Sequence, residues 1–254
     1  MKKAVQITCL AVLGTFLLAA SAFAQTSVTL TGPPPGYVYD GIYMSPYYAT
    51  VGGSTNVPVI CDDFGDNSWP NSTWNATTTS FSSINGSNTS WGLAGANTSL
   101  YGAVGYLVGQ VLSAPSGSLQ QIVDSFELWA IFDPSGVQQY LATTNAGAGA
   151  LISTSALCSE IFGSCTAAAA LNPGGLLGAL ESENLSAGSF NMVVLSPNNS
   201  NGSLCVAGKD NCAAQEFIYV SVAEGGTALA YLLLAGLFCF GAMYVKKSRQ
   251  QVAF

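Results

Sequence analysis

Histidine is missing altogether, and basic residues are almost missing from the central 200 or so residues. Without histidine there can be no Ser-His-Asp triad, no Cys-His pair and no His-ligated zinc or copper. Between Gln25 and Gly226 the only basic residue is Lys209, against thirteen acidic ones, a net charge of −12. Nucleic acids, anionic polymers and bare anionic lipid call for clustered Lys and Arg, so none of them is an expected partner. Charged residues of both signs make up only 7% of the chain, which leaves Ser, Thr, Asn and Gly to keep it in water. The result is a neutral surface of hydroxyls and amides.

The two ends are apolar. Lys2 and Lys3 precede an apolar core from Ile7 to Ala20, and Ala22-Phe23-Ala24 forms a small-x-small cleavage site before Gln25. Residues 1–24 are therefore expected to be a secretory signal peptide. Thr227 to Val245 is a run of nineteen residues without a charge. As a helix it would span roughly 28 Å, close to the hydrocarbon thickness of a bilayer. Lys246, Lys247 and Arg249 follow it as a basic stop, which puts the C-terminus on the cytoplasmic side. The expected layout is thus a signal peptide (1–24), an extracytoplasmic domain (25–221) and an anchor segment (222–254) with a transmembrane helix over 227–245.

Five cysteines lie in the extracytoplasmic part. Cys158 and Cys165 are seven positions apart, as are Cys205 and Cys212. In an oxidising compartment two local disulfides are the simplest assignment, with crossed pairing open. A four-thiolate zinc site usually has tighter spacings. Cys61, after the apolar run Val57 to Ile60, reads either as a small buried apolar residue or as a reactive thiol.

Along the chain, Ser27–Thr31, Tyr37–Val51 and Asn56–Cys61 alternate as strands with turns at Gly32 to Gly36, Asp40-Gly41 and Ser45-Pro46. Asp66 to Ser99 is an Asn/Ser/Thr tract punctuated by Trp69, Trp74, Phe81, Ile84 and Trp91, which need somewhere to pack and so argue for short strands or an ordered loop. Its Asn-x-Ser/Thr triplets, at Asn71, Asn75, Asn85, Asn88 and Asn97, follow from composition. From Ser99 the period becomes helical. Leu100 to Leu112 forms one helix, stopped by Pro115. A second, capped by Ser116 or Ser118, runs to Phe132, and Asp133-Pro134-Ser135-Gly136 ends it. Short helical pieces follow to Asn184, and then strands at Ser189–Leu195 and Glu216–Val222. This order predicts an α+β domain, β-rich and sandwich-like, with the helices grouped in the middle.

Asp62, Asp63 and Asp66 form the one dense acidic cluster. They are candidate calcium ligands, or else turn-forming acids at a strand end. Glu127 with an acid of this cluster is the only pairing that suggests glycoside hydrolysis. No cofactor is expected, and a non-catalytic role is preferred to an enzyme.

The tail, Val222-Ala223-Glu224-Gly225-Gly226-Thr227 followed by the apolar run and Lys246-Lys247-Ser248-Arg249, resembles the PEP-CTERM sorting signal of Gram-negative bacteria. There a Val-Pro-Glu-Pro-like motif precedes the helix and the basic stop. In this chain Val222, Glu224 and Thr227 remain, while Ala223 and Gly225 stand where the prolines would be. The resemblance implies an exosortase partner that cuts at the motif and delivery to the cell surface or its exopolysaccharide. Cys61-Asp62-Asp63-Phe64 and the helix end Leu128 to Pro134 look like stretches found in the ectodomains of such proteins. The same two stretches are similar to thioester adhesin domains, in which a Cys after a strand bonds to a Gln four residues before a helix Trp. Cys61 matches that Cys, but Ser125 stands four residues before Trp129 and has no carboxamide to give up ammonia. The expectation is a structural or adhesive envelope protein, with a covalent adhesin or a carbohydrate-active enzyme as the alternatives.

Overall fold

A computed structural model describes residues 25–32, 38–65, 68–145, 147, 150–183, 185–198 and 215–221. The expected signal peptide lies outside the described residues. So do Asp66, Cys205, Cys212 and everything from Val222 on, including Glu224, Thr227, the helix over 227–245 and the basic stop at Lys246, Lys247 and Arg249. The described residues up to Val220 belong to one compact unit; a second unit begins at Ser221. Among the described residues no helix is long and apolar enough to cross a membrane.

Eight strands are described: β1 (Gln25–Gly32), β2 (Val38–Tyr39), β3 (Ile42–Tyr43), β4 (Tyr47–Val51), β5 (Ser54–Cys61), β6 (Thr73–Ser80), β7 (Met192–Pro197) and β8 (Phe217–Val220). Six of them close into an antiparallel barrel in the order β1-β4-β5-β8-β7-β6, while β2 and β3 form a separate hairpin. The domain is mixed α and β as expected, but its β part is a barrel rather than a sandwich. The difference comes from β6. The Asn/Ser/Thr tract supplies a full strand that pairs with β1 on one side (Val28 opposite Trp74) and β7 on the other (Thr78 opposite Leu195). This leaves no exposed edge in the ring.

Alternation puts Val28, Leu30, Ala49, Val51, Val59, Cys61, Trp74, Ala76, Leu195 and Phe217 inside the barrel, all buried. Phe217 fills the centre, with ring centroids 5.8 Å from Tyr47 and 5.7 Å from Trp74. The outward residues differ around the ring. On β1 and β6 they are polar, such as Ser27, Thr29, Thr73 and Asn75, whereas on β5, β8 and β7 they are Ile60, Ile218, Met192 and Val194.

A helical layer covers those apolar outward positions. It comprises α1 (Ser90–Leu93), α2 (Tyr101–Ser113), α3 (Leu119–Phe132), α4 (Pro134–Thr143), α5 (Thr154–Phe162), α6 (Ala167–Leu171) and α7 (Leu176–Ser182). Five of them, α1 and α3 to α6, use a short polar side chain at the start to satisfy a free backbone N–H group. Ser118 accepts from Gln121 N at 3.2 Å. Asp133, expected only to end a helix, also starts α4: it accepts from Gly136 N at 2.9 Å, with Pro134 at the first helical position. Phe126, Trp129, Leu107, Val111, Leu157 and Ile161 form the second core together with Ile60, Val194 and Ile218 of the barrel wall.

The β2–β3 hairpin packs on the same layer. Its turn, Asp40-Gly41, takes positive φ at both residues (49° and 86°), the geometry of a tight two-residue hairpin and the reason for a glycine there. Tyr39 Oη donates to Ile152 O at 3.1 Å, and Tyr140 Oη donates to Asp40 O at 3.0 Å, tying the hairpin down. Cys158 and Cys165 are disulfide-bonded as expected, with Cα atoms 5.2 Å apart, linking α5 to the segment before α6.

Candidate functional site

The two stretches singled out by sequence, Cys61 to Phe64 and Leu128 to Pro134, meet. Trp129 Nε1 donates to Cys61 O at 2.9 Å, and the Phe64 ring packs 5.4 Å from the Trp129 ring and 5.6 Å from that of Tyr140. Trp91, from the polar tract, donates to Asp62 O at 3.2 Å and stacks on Phe132 with centroids 5.2 Å apart. The end of β5 is thus clamped to α1 and α3 through its backbone carbonyls. Such bonds depend on position and not on side-chain chemistry.

The Cys61 side chain points into the barrel, 1% exposed, and its Sγ donates to Asp63 O at 3.0 Å. Burial, with Asp63 and Asp62 adding to it, pushes the thiol well above its ordinary range, which favours the neutral and unreactive form. Where a thioester would need a carboxamide, Ser125 donates instead to Gln121 O at 2.7 Å. The Gln121 amide is also engaged, accepting from Gly117 N at 3.0 Å and donating to Val111 O at 3.1 Å.

Of the acid cluster, Asp62 and Asp63 are among the described residues, and they have different surroundings. Asp63 Oδ1 accepts from Gly65 N at 3.0 Å, a turn-stabilising role. Asp62 turns the other way, is completely buried, and has no hydrogen bond from another residue on either carboxyl oxygen. Among the described residues no three His, Cys, Asp or Glu side chains are placed to hold a metal ion together.

Register explains what Asp62 faces. Cys61 pairs with Phe217 across β5 and β8, and Leu195 pairs with Phe217 across β7 and β8. One step further along each strand, Asp62, Glu216 and Ser196 form a row across the barrel rim. These residues are in phase with Ile60, Ile218 and Val194, so their side chains face the helical layer. Glu216 is also completely buried, and it is well supplied with donors. Tyr101 Oη donates to Oε1 at 2.6 Å, Ser90 N donates to Oε2 at 2.7 Å, and Ser196 Oγ makes a close contact with Oε2. Sequence reading did not single out Glu216. The available signal was a lone acid in phase with Ile218 on a face otherwise apolar.

A second acid pair lies on α3. Glu127 is held up to about 7 by burial and, after that, by the charge of Asp124. Asp124 Oδ1 accepts from Gln120 Nε2 at 2.6 Å, and its Oδ2 is buried without a partner. Glu127 and Asp124 lie one turn apart on α3, close enough for each charge to act on the other. A surface cleft of about 270 Å³ lies between the end of α4 and the start of α5, lined by Thr144, Asn145, Ser153, Thr154 and Ser155. None of the paired acids lines it.

No family model, curated protein or solved structure matches this chain.

Proposed function

We propose that this chain is an exported bacterial envelope protein with a PEP-CTERM-like sorting tail, whose extracytoplasmic domain is non-catalytic and structural or adhesive in the surface exopolysaccharide layer. The observation that carries this reading is where the charge goes. The described residues contain no Lys or Arg. Asp62, Asp63, Asp124, Glu127 and Glu216 are buried, which leaves a few scattered acids, Asp40, Asp133, Glu160 and Glu183, reaching the surface. What faces water is rich in hydroxyl and amide groups, with Thr29, Thr73, Asn75 and Thr77 on one barrel wall, a surface that can hydrogen-bond to a neutral polysaccharide without electrostatic selection. The acids that hydrolysis would need sit in packed seams away from the cleft. The Cys158–Cys165 bond suits an oxidising compartment outside the cytoplasm.

The test is the state of the protein recovered from cells that produce it. Surface or matrix fractions should contain it with Gln25 as the first residue and a C-terminus near Glu224, the position of the sorting motif. Recovery only from the cytoplasm, or with Met1 intact, would sink the reading. A C-terminus at Phe254 in all material would replace exosortase processing by a lasting membrane anchor. Intact mass also separates this reading from a covalent adhesin, because loss of ammonia beyond disulfide formation would bring the thioester back.

A further inference from the structure

The rim row of Asp62, Glu216 and Ser196 poses a charge problem that the fold must solve. Two carboxyl groups side by side, both fully buried, cannot both ionise without a nearby cation, because each charge loses its water and repels the other. No cation faces them among the described residues. The titratable groups around the pair are Asp63 and Cys61 from the end of β5 and Tyr101 from α2; β7 contributes the Ser196 hydroxyl and α1 the Ser90 N–H.

The donors are shared out very unequally. Glu216 receives Tyr101 Oη, Ser90 N–H and Ser196 Oγ, which is the environment of an anion. Asp62 receives no hydrogen bond from any other residue, which is the environment of a neutral acid. A neutral Asp62 has one O–H to donate, and the acceptor beside it is the Glu216 carboxylate. We infer that Asp62 and Glu216 share one proton in the folded protein, forming a carboxyl–carboxylate bond that fastens the barrel rim to the helical layer and weakens as pH rises. The electrostatics agree in direction: burial first, then Glu216 and Asp63, push the Asp62 carboxyl well above the usual carboxylate range, with its own backbone N–H the opposing influence.

The sign of the pH effect follows. The unfolded chain gives up the Asp62 proton near pH 4, whereas the folded chain keeps it to higher pH. Above about pH 4 folding therefore takes up a proton, and for that one proton the unfolding constant rises by up to about tenfold per pH unit until Asp62 ionises in the fold. Stability is greatest in mild acid and declines towards neutral and alkaline pH. Glu127 acts in the same direction, so the contribution of the pair must be read as a difference.

Urea unfolding of the full-length protein at pH 5 and pH 7, followed by tryptophan fluorescence, supplies that difference. Asp62→Asn keeps the shape and can donate to Glu216 but cannot ionise. Over these two pH units its unfolding constant should rise less than that of the wild type, by a factor of up to about one hundred. An unchanged pH slope in Asp62→Asn would overturn the inference. If Asp62→Asn does not fold, infrared spectra of the Asp124→Asn/Glu127→Gln protein at pH 7 decide. A carbonyl band from an un-ionised carboxylic acid supports the shared proton, and its absence overturns it.

Discussion

The two walls of the barrel are built from the same alternating strands and meet opposite surroundings. On β1 and β6 the outward side chains are Ser27, Thr29, Thr73 and Asn75, which face water, and Thr29 and Thr73 hydrogen-bond to one another at 2.9 Å. On β5, β8 and β7 the outward side chains are Ile60, Ile218, Val194 and Met192, buried beneath the helical layer. The inward residues are alike on both walls. A barrel interior therefore demands apolar residues everywhere, while the outer face records only what covers it. The acid row sits where the covered wall ends. Polar groups there are out of reach of water and must satisfy one another, whereas the hydroxyls of the open wall can use solvent.

The largest effect should come from the interior that both walls share. Phe217→Ala removes the ring packed against Tyr47 and Trp74 and leaves a cavity in a closed space, at an expected cost of about 3–5 kcal/mol in urea unfolding. A cost below about 1 kcal/mol would mean that the barrel is not packed as described. An intermediate effect is expected from the helical cover alone. Replacing Cys158 and Cys165 together by alanine opens a short loop, and the chain-entropy relation gives about 2–3 kcal/mol for a loop of this size. Hydrogen exchange should show faster exchange in α5 and α6 before any change in the paired amides of β1 and β6. Equal loss of protection in both regions would show that the cover and the barrel unfold as one.

Much of this contrast could be read from the sequence, and the unread part has one physical cause. Helices α2 and α3 were visible because Leu107, Val108 and Val111, and Ile122, Phe126 and Trp129, repeat at three-four spacing between identifiable stops and caps. The Asp40-Gly41 turn and the Cys158–Cys165 pair were visible for equally local reasons. Strand β6 was harder to see. In Thr73 to Ser80 only Trp74 and Ala76 are apolar and buried, so a strand with one face in water resembles a polar tract. With the tract left open between short strands and an ordered loop, nothing in the sequence closes the ring, and a sandwich is the natural reading. The row of Asp62 and Glu216 was hidden for a related reason. Its members lie far apart in sequence and meet only through the registers of β5 with β8 and β8 with β7. Local patterning reveals periods and caps; it does not reveal which strand ends lie side by side.

The smallest expected effect tests the open wall most directly. Thr29 and Thr73 sit opposite each other on β1 and β6 with their side chains outward, and their mutual hydrogen bond competes with water at every moment. Replacing both with valine keeps the β-branched shape that suits a pleated surface and removes two hydroxyls. An exposed hydrogen bond contributes little net stability, and surface changes of this kind usually stay within about 0.5 kcal/mol. The urea midpoint of Thr29→Val/Thr73→Val should therefore match that of the wild type. What should change is the surface: two adjacent apolar groups replace a hydrated pair, so retention on an immobilised neutral polysaccharide should fall if this wall makes the contact. A loss of more than about 1 kcal/mol would show that something covers the wall and that the contrast between the two faces is drawn in the wrong place.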